Sequence, residues 1–247
     1  MNNFELEKIV NKKLNTNQFD DFCPNGLQIE GRSKVNTIIT GVTACQSLIN
    51  TAIFHKVDGI IVHHGFFWKK DSRTIKGIHR IRIKSILIHD INLYSWHLPL
   101  DVHSKLGNNI QIGKILNIDI KGCIQPLVLW GTFKKPMSVK DMYTLLTKKF
   151  NRTPYYYSRN NSQGIYKIAW CSGKGQQFIN SAAEFGVDTF LTGEVSEETI
   201  HYAAENKLHF FSIGHHASEI CGIQALTTWL KNKFNLNIKF ININNPI

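Results

Sequence analysis

Short apolar runs bounded by turn residues alternate along this chain with segments of helical spacing, the pattern of parallel strands joined by helical crossovers. Val35-Asn-Thr-Ile-Ile-Thr and Asp58-Gly-Ile-Ile-Val read as buried strands with a helix from Gln46 between them. Sliding the chain on itself by 130 residues aligns Gln46 to His64 with Gln176 to Glu194 without a gap, with six of 19 pairs identical. The same offset lays Val35-Asn-Thr-Ile-Ile-Thr on Ile165-Tyr-Lys-Ile-Ala-Trp, so the repeated unit is strand, turn, helix, strand. Each copy continues into another helix and strand, Ile86 to Ser95 in the first and Leu208 to Ile213 in the second. The expected fold class is α/β, built as two similar α/β domains from an internal duplication.

Each half carries a preface. Residues 4 to 14 place Leu6, Val10 and Leu14 on one helical stripe, and Cys23-Pro-Asn-Gly26 is a turn. Ahead of the second copy, Ser138 and Asp141 form a capping signature for a helix running to about Phe150. Leu236 to Ile243 alternates enough to be a final strand. The boundary is expected near Gly122, where Ile118-Asp-Ile-Lys-Gly-Cys leaves a turn, giving halves of 1–122 and 123–247.

Chemistry-bearing residues gather where strands end, the edge at which α/β proteins assemble sites. Val62-His-His-Gly65, Trp96-His-Leu-Pro-Leu-Asp101 and Gly214-His-His-Ala-Ser-Glu219 each follow a strand-like run. Adjacent strand residues face opposite sides, so His63 and His64 reach one centre only if the chain turns at Gly65 and lets both rings swing to the strand's end. His215 and Glu219 stand four apart at the start of a helix continuing through Ile223, Leu226 and Trp229, and so share a face. Pro99 between His97 and Asp101 argues for an irregular loop there. The candidate ligands are His63, His64, Asp101, His215 and Glu219, a mixture of imidazole and carboxylate that leaves zinc, iron and manganese open. A closed structural zinc site needs four ligands; five, one of them a carboxylate able to bridge, suit two ions. His97 is a base or supporting group, His216 is supporting or structural, and His103 ranks lower. A solvated surface turn at His63-His64, and a first-turn acid complementing its helix at Glu219, are the plain alternatives.

Composition narrows the classes. The five cysteines are an odd set without C-x-x-C spacing, which points to a reducing compartment, by default the cytoplasm, and away from a thiolate zinc site. No apolar run approaches the ~20 residues of a membrane span. The net charge of +11 invites a polyanion or a phosphorylated small molecule, although the accompanying richness in Asn, Ile and Lys also arises from A+T-rich coding. Lys69 to Lys84, with seven basic residues against Asp71 alone, could hold anions or be a solvated face. Nothing reads as a recognition helix or zinc finger, so no specific nucleic acid is expected. Ser172-Gly-Lys-Gly-Gln lacks the spacing of a phosphate loop, and no G-x-S-x-G elbow occurs.

Pro24-Asn-Gly-Leu-Gln28, Gly41-Val-Thr43, Val62 to Gly65, Trp96 to Asp101, Leu191-Thr-Gly-Glu194 and Gly214 to Glu219 together resemble, end to end, the NIF-three-like family of type 2 GTP cyclohydrolase I homologues, in particular its YbgI-type bacterial members. The resemblance implies a two-metal site filled by His63, His64, Asp101, His215 and Glu219, with Glu219 bridging. It also implies a homohexameric ring of subunits. The expected activity is metal-dependent hydrolysis of a nucleotide-like or other small anionic substrate, with His97 moving a proton. The alternative is a non-catalytic metal-handling or regulatory protein that works through protein contacts.

Overall fold

The computed structural model describes residues 1–158 and 164–247, which form two compact units. The first comprises Met1–Leu106 with Gly222–Asn244, and the second Gly107–Cys221 with Asn245–Ile247. The first unit opens with α1 (Asn3–Leu14), whose amides at Phe4 and Glu5 donate to the Asn2 side chain and whose Leu6, Val10 and Leu14 are buried. It continues through β1 (Gly26–Ile29), β2 (Thr37–Thr43), α2 (Gln46–Phe54), β3 (Gly59–His64), α3 (Gly77–Ile88), β4 (Asn92–Ser95) and α4 (Leu98–Val102).

The second unit holds α5 (Asn108–Ile115), β5 (Asp119–Gln125), β6 (Val128–Met137), α6 (Val139–Phe150), β7 (Tyr155–Tyr157), β8 (Ile165–Trp170), α7 (Ile179–Glu184), β9 (Thr189–Thr192), α8 (Glu197–Glu205) and β10 (His209–Ser212). The helix α9 (His215–Lys233) and the strand β11 (Asn237–Phe240) complete the chain. As the capping signature predicts, the Asp141 amide donates to the Ser138 hydroxyl at the head of α6.

The first sheet has the order β1-β4-β3-β2-β11 and the second β5-β6-β8-β9-β10-β7. Strands β4, β3, β2 and β11 run parallel, with β1 antiparallel at the edge; in the second sheet β8, β9 and β10 run parallel, with β7 antiparallel beside β10. Each sheet thus repeats the series helix, antiparallel edge strand, then three parallel strands with two crossover helices. Ile38 lies opposite Gly59 and, 130 residues on, Ile168 lies opposite Thr189.

The same carboxylate ties each copy. Asp58 Oδ2 accepts from the amides of Asn36 and Thr37 at 2.9 and 2.8 Å. Asp188 Oδ2 accepts from Tyr166 and Lys167 at 3.0 and 2.8 Å. The Asp identity found by sliding the chain on itself is therefore a brace between the two strand starts. Apolar residues of both faces bury around these strands: Leu48, Ile49, Ile60, Val62 and Leu93 in the first unit, Met142, Leu146, Trp170, Phe190 and Phe211 in the second.

Three expectations change. The units differ from contiguous halves split at 122/123: that position falls inside β5, which pairs with β6, and β11 pairs in parallel with β2 of the first sheet. The final strand is shorter than Leu236 to Ile243. Finally, Leu98–Val102 is a short helix and not an irregular loop, with the Leu100 and Asp101 amides both donating to the His97 carbonyl. Proline fits a first helical turn because its missing N–H has no helical acceptor to lose there.

Candidate metal centre

The parallel strands of the first unit end at Thr43, His64 and Ser95. Strand pairing continues through His64, opposite Thr43, so no turn at Gly65 is needed to free the rings. Each ring is held by a neighbour at the same sheet edge: His63 Nδ1 to the Trp96 carbonyl at 2.9 Å, and His64 Nδ1 to Thr43 Oγ1 at 3.3 Å. The ring centroids are 4.6 Å apart. Glycine at 65 answers another need, since a Cβ there would sit 2.6 Å from Ser95 Cβ and run into the Gln28 carboxamide, which accepts from the Phe66 amide.

A carbonyl only accepts, so the His63 Nδ1 carries the proton and Nε2 presents its lone pair. That lone pair faces Asp101 Oδ1 at 3.5 Å, with His63 fully buried and Asp101 6% exposed. Two acceptors facing each other away from water call for a cation or a proton between them. The donor types and the held Nδ1–H match the way metal-ligating histidines are oriented, so the residues fit a divalent metal.

His97 joins this group, bringing a ring nitrogen within 4.8 Å of one from His63 and one from His64. Its Nδ1 donates to Asp21 Oδ1 at 2.7 Å. Asp21 also accepts from the Phe22 and Leu98 amides and the Asn25 carboxamide, so both oxygens are occupied and the side chain orients His97. Burial pushes the Asp21 carboxyl up, but the hydrogen bond and charge of His97, with Asn25 and Leu98, outweigh it and hold the group below the usual carboxylate range. Cys23 lies beside them with its thiol pushed up to about 12 by burial and the Asp21 charge. His103 stands apart from these contacts, capping a turn by accepting from the Lys105 and Leu106 amides.

In the second unit β8, β9 and β10 end at Trp170, Thr192 and Ser212. His215 opens α9 and its Nε2 lies 3.2 Å from Glu219 Oε2, one turn on, as the i, i+4 spacing predicts. Its Nδ1 is 2.6 Å from Glu194 Oε1. Burial lowers the ring's proton affinity, but Glu219 and Glu194 more than reverse this and raise it to about 9. Glu194 itself is held by the Gln176 carboxamide at 3.3 Å.

Gly173 makes room for the pair: its φ is +61°, and a Cβ there would collide with Glu219 Oε1 and lie 3.3 Å from His215 Nε2. His216 is buried, with its amide donating to the Ile247 carbonyl. The Ser172-Gly-Lys-Gly-Gln turn is no phosphate loop, because the amides of Ser172, Gly173 and Gly175 donate to Asn109, Ser218 and Thr192. The Lys69 to Lys84 cations are mostly exposed, and Lys69 pairs with Asp20 at 2.6 Å on the surface.

Asp21 and Glu194 are the residues that spacing overlooks. Glu194 had a signal, because the internal repeat aligns it with His64. Asp21 had none beyond its nearness to the Pro24-Asn-Gly turn, whose Asn25 accepts from the His97 amide at 2.8 Å.

No helix among the described residues is long and apolar enough to cross a membrane. The family model for Duf34/NIF3 (NGG1p interacting factor 3) matches residues 1–246. A GTP cyclohydrolase 1 type 2 homolog of Buchnera aphidicola subsp. Baizongia pistaciae is 69% identical over 247 residues, covering 100% of both chains. The homolog of Escherichia coli K12 is 48% identical over 246 residues, again with 100% of each chain covered. Among solved structures, a protein called ybgI, of unknown function, superposes with a TM-score of 0.98 at 48% identity, and a Thermus thermophilus protein with 0.90 at 28%, each covering 100% of both chains. With histidines and carboxylates clustered at the strand ends in the manner of a metal-binding protein, the chain belongs to the Duf34/NIF3 family.

Proposed function

We propose that this protein is a metal-dependent hydrolase acting on a small anionic, nucleotide-like substrate. Two divalent ions, of zinc, iron or manganese, would be held by His63, His64, Asp101, His215 and Glu219, with Glu219 the carboxylate that would serve both. The observation that carries the reading is the buried His63 Nε2 lone pair facing Asp101 at 3.5 Å, an arrangement stable only with positive charge between the two groups. Bound there, divalent metal would supply Lewis-acid polarisation and a water acidic enough to react near neutral pH.

The chain's own groups do the rest. Trp96 O and Glu194 fix the proton on Nδ1 of His63 and His215, which turns each Nε2 lone pair toward a carboxylate. His97, with its Nδ1 proton on Asp21, presents Nε2 as the atom that takes a proton from the attacking group and returns it to the leaving group. No disulfide joins any of the five cysteines among the described residues, which supports a cytoplasmic setting, and a homohexameric ring is the assembly we expect from the family.

The test is metal analysis of untagged protein purified without chelator, followed by a screen of a metabolite mixture for consumed compounds. Hydrolysis of an anionic compound that stops on chelation, and falls by about 10² or more in His97→Ala with metal retained, supports the reading. Tightly bound metal with no compound consumed would instead make the protein a non-catalytic metal-handling one, and absence of metal would refute both.

A further inference from the structure

The second sheet carries a cation that the metal reading does not use. Arg152 follows Asn151, whose left-handed conformation closes α6, and its guanidinium lies against Gly214, the residue before His215. A Cβ on Gly214 would stand 2.9 Å from Cζ, Nε and Nη1 alike, so the planar group rests flat on backbone that only glycine, at φ +93°, leaves open. No carboxylate or carbonyl among the described residues accepts from this half-buried guanidinium. Glu194, at the neighbouring strand end, is committed to His215 and Gln176.

The placement is also electrostatically unfavourable for a cation alone. Gly214 leads directly into the 19 residues of α9, whose first turn carries the positive end of the helix dipole. A guanidinium kept at that end, with no ion pair among the described residues, is placed to receive an anion from outside.

A second observation at the same edge points to a ligand. Gln176 is 8% exposed, and its Oε1 has no hydrogen-bond partner among the described residues. The Nε2 of this amide donates to Glu194 Oε2, which leaves Oε1 as the open acceptor. A buried acceptor is left waiting one hydrogen bond away from the group that holds His215.

We propose that Arg152 is a specificity residue that binds a phosphoryl group of the substrate at the carboxyl ends of β8, β9 and β10. The fork of guanidinium donors matches two oxygens of a phosphate, and the start of α9 adds favourable potential for a dianion. Gln176 Oε1 accepts from an N–H or O–H elsewhere on the same molecule. This deepens the hydrolase reading and rests on it for the identity of the anion as substrate.

The probe is inorganic phosphate, titrated by calorimetry into metal-loaded and chelated protein, with Arg152→Ala, Arg152→Lys and succinate as comparisons. Arg152→Ala is expected to weaken phosphate binding at least tenfold in both states, while metal content and melting temperature hold or rise. Arg152→Lys keeps the charge without the fork and is expected to fall between. Unchanged phosphate affinity in Arg152→Ala overturns the proposal, as does wild-type protein that binds no phosphate at millimolar concentration. A large drop in melting temperature with phosphate binding retained makes the residue structural, and succinate binding as tightly as phosphate refutes the phosphoryl assignment. Protein that holds no metal yet binds phosphate through Arg152 would refute the metal reading alone.

Discussion

Glu194→Gln separates a carboxylate that merely packs near His215 from one that sets its state. Raising the ring from 6.5 to about 9 corresponds to roughly 3 kcal/mol of preference for the protonated form, shared between Glu219 and Glu194 after burial has opposed both. Gln keeps the size and an acceptor oxygen but loses the charge, so about 1–2 kcal/mol of this should go.

A group whose folded value is raised contributes stability that is full below its unfolded value and is lost as pH climbs through the folded one. In chelated protein the variant should therefore be less stable than wild type by about 1–2 kcal/mol at pH 6, and by almost nothing near pH 10. With metal present the ring is neutral and Glu194 instead holds the Nδ1 proton, so affinity for zinc should drop about 10- to 100-fold. Urea unfolding in chelator at the two pH values, with competitive zinc titration, reads both effects. A stability loss equal at pH 6 and pH 10, or unchanged zinc affinity, would refute the reasoning.

Glu219→Gln should lower metal content below that of Asp101→Ala, because it removes the charge offsetting paired cations; metal per subunit by elemental analysis decides, and two tightly held ions would leave Glu219 as the partner of His215 alone. Gly173→Ala should both strain the backbone by about 1–2 kcal/mol and push Glu219 aside, so that metal content falls in a variant that still folds by circular dichroism. Asp21→Asn should leave metal content near wild type while lowering turnover of any substrate the screen identifies, since it disturbs His97 alone among the site groups. Chelation should lower the melting temperature, and the drop should grow with the metal concentration first present, as ligand linkage requires.

Much of the fold was legible because the duplication preserved pairing register as well as composition: Asp58 and Asp188 stand at one offset because each braces two strand starts. The strand-end histidines were legible for the same reason, since the last paired residue of a strand fixes where the next side chains emerge. Asp21 was hidden because its partner, His97, is distant in sequence and a carboxylate that orients a ring leaves no periodicity; Glu194 showed only as the repeat's match to His64, which does not name His215 as its partner. The unit boundary was hidden likewise. Pairing of β11 with β2 is a contact across almost the whole chain, and nothing local in Asn237–Phe240 announces which sheet it joins.

That last pairing sets an order of events during synthesis. The first unit draws on Gly222–Asn244, so β2 stays an unpaired edge until Asn237–Phe240 has left the ribosome. At roughly 5–20 residues per second the delay is on the order of ten seconds, longer than most elementary folding events. Throughout it, the Thr37-Ile-Ile-Thr-Gly-Val-Thr43 strand offers open amides and carbonyls beside apolar side chains, a template for pairing with a neighbouring nascent chain. The β2 segment is thus translated long before its pairing is completed, which makes it a natural client for holding chaperones.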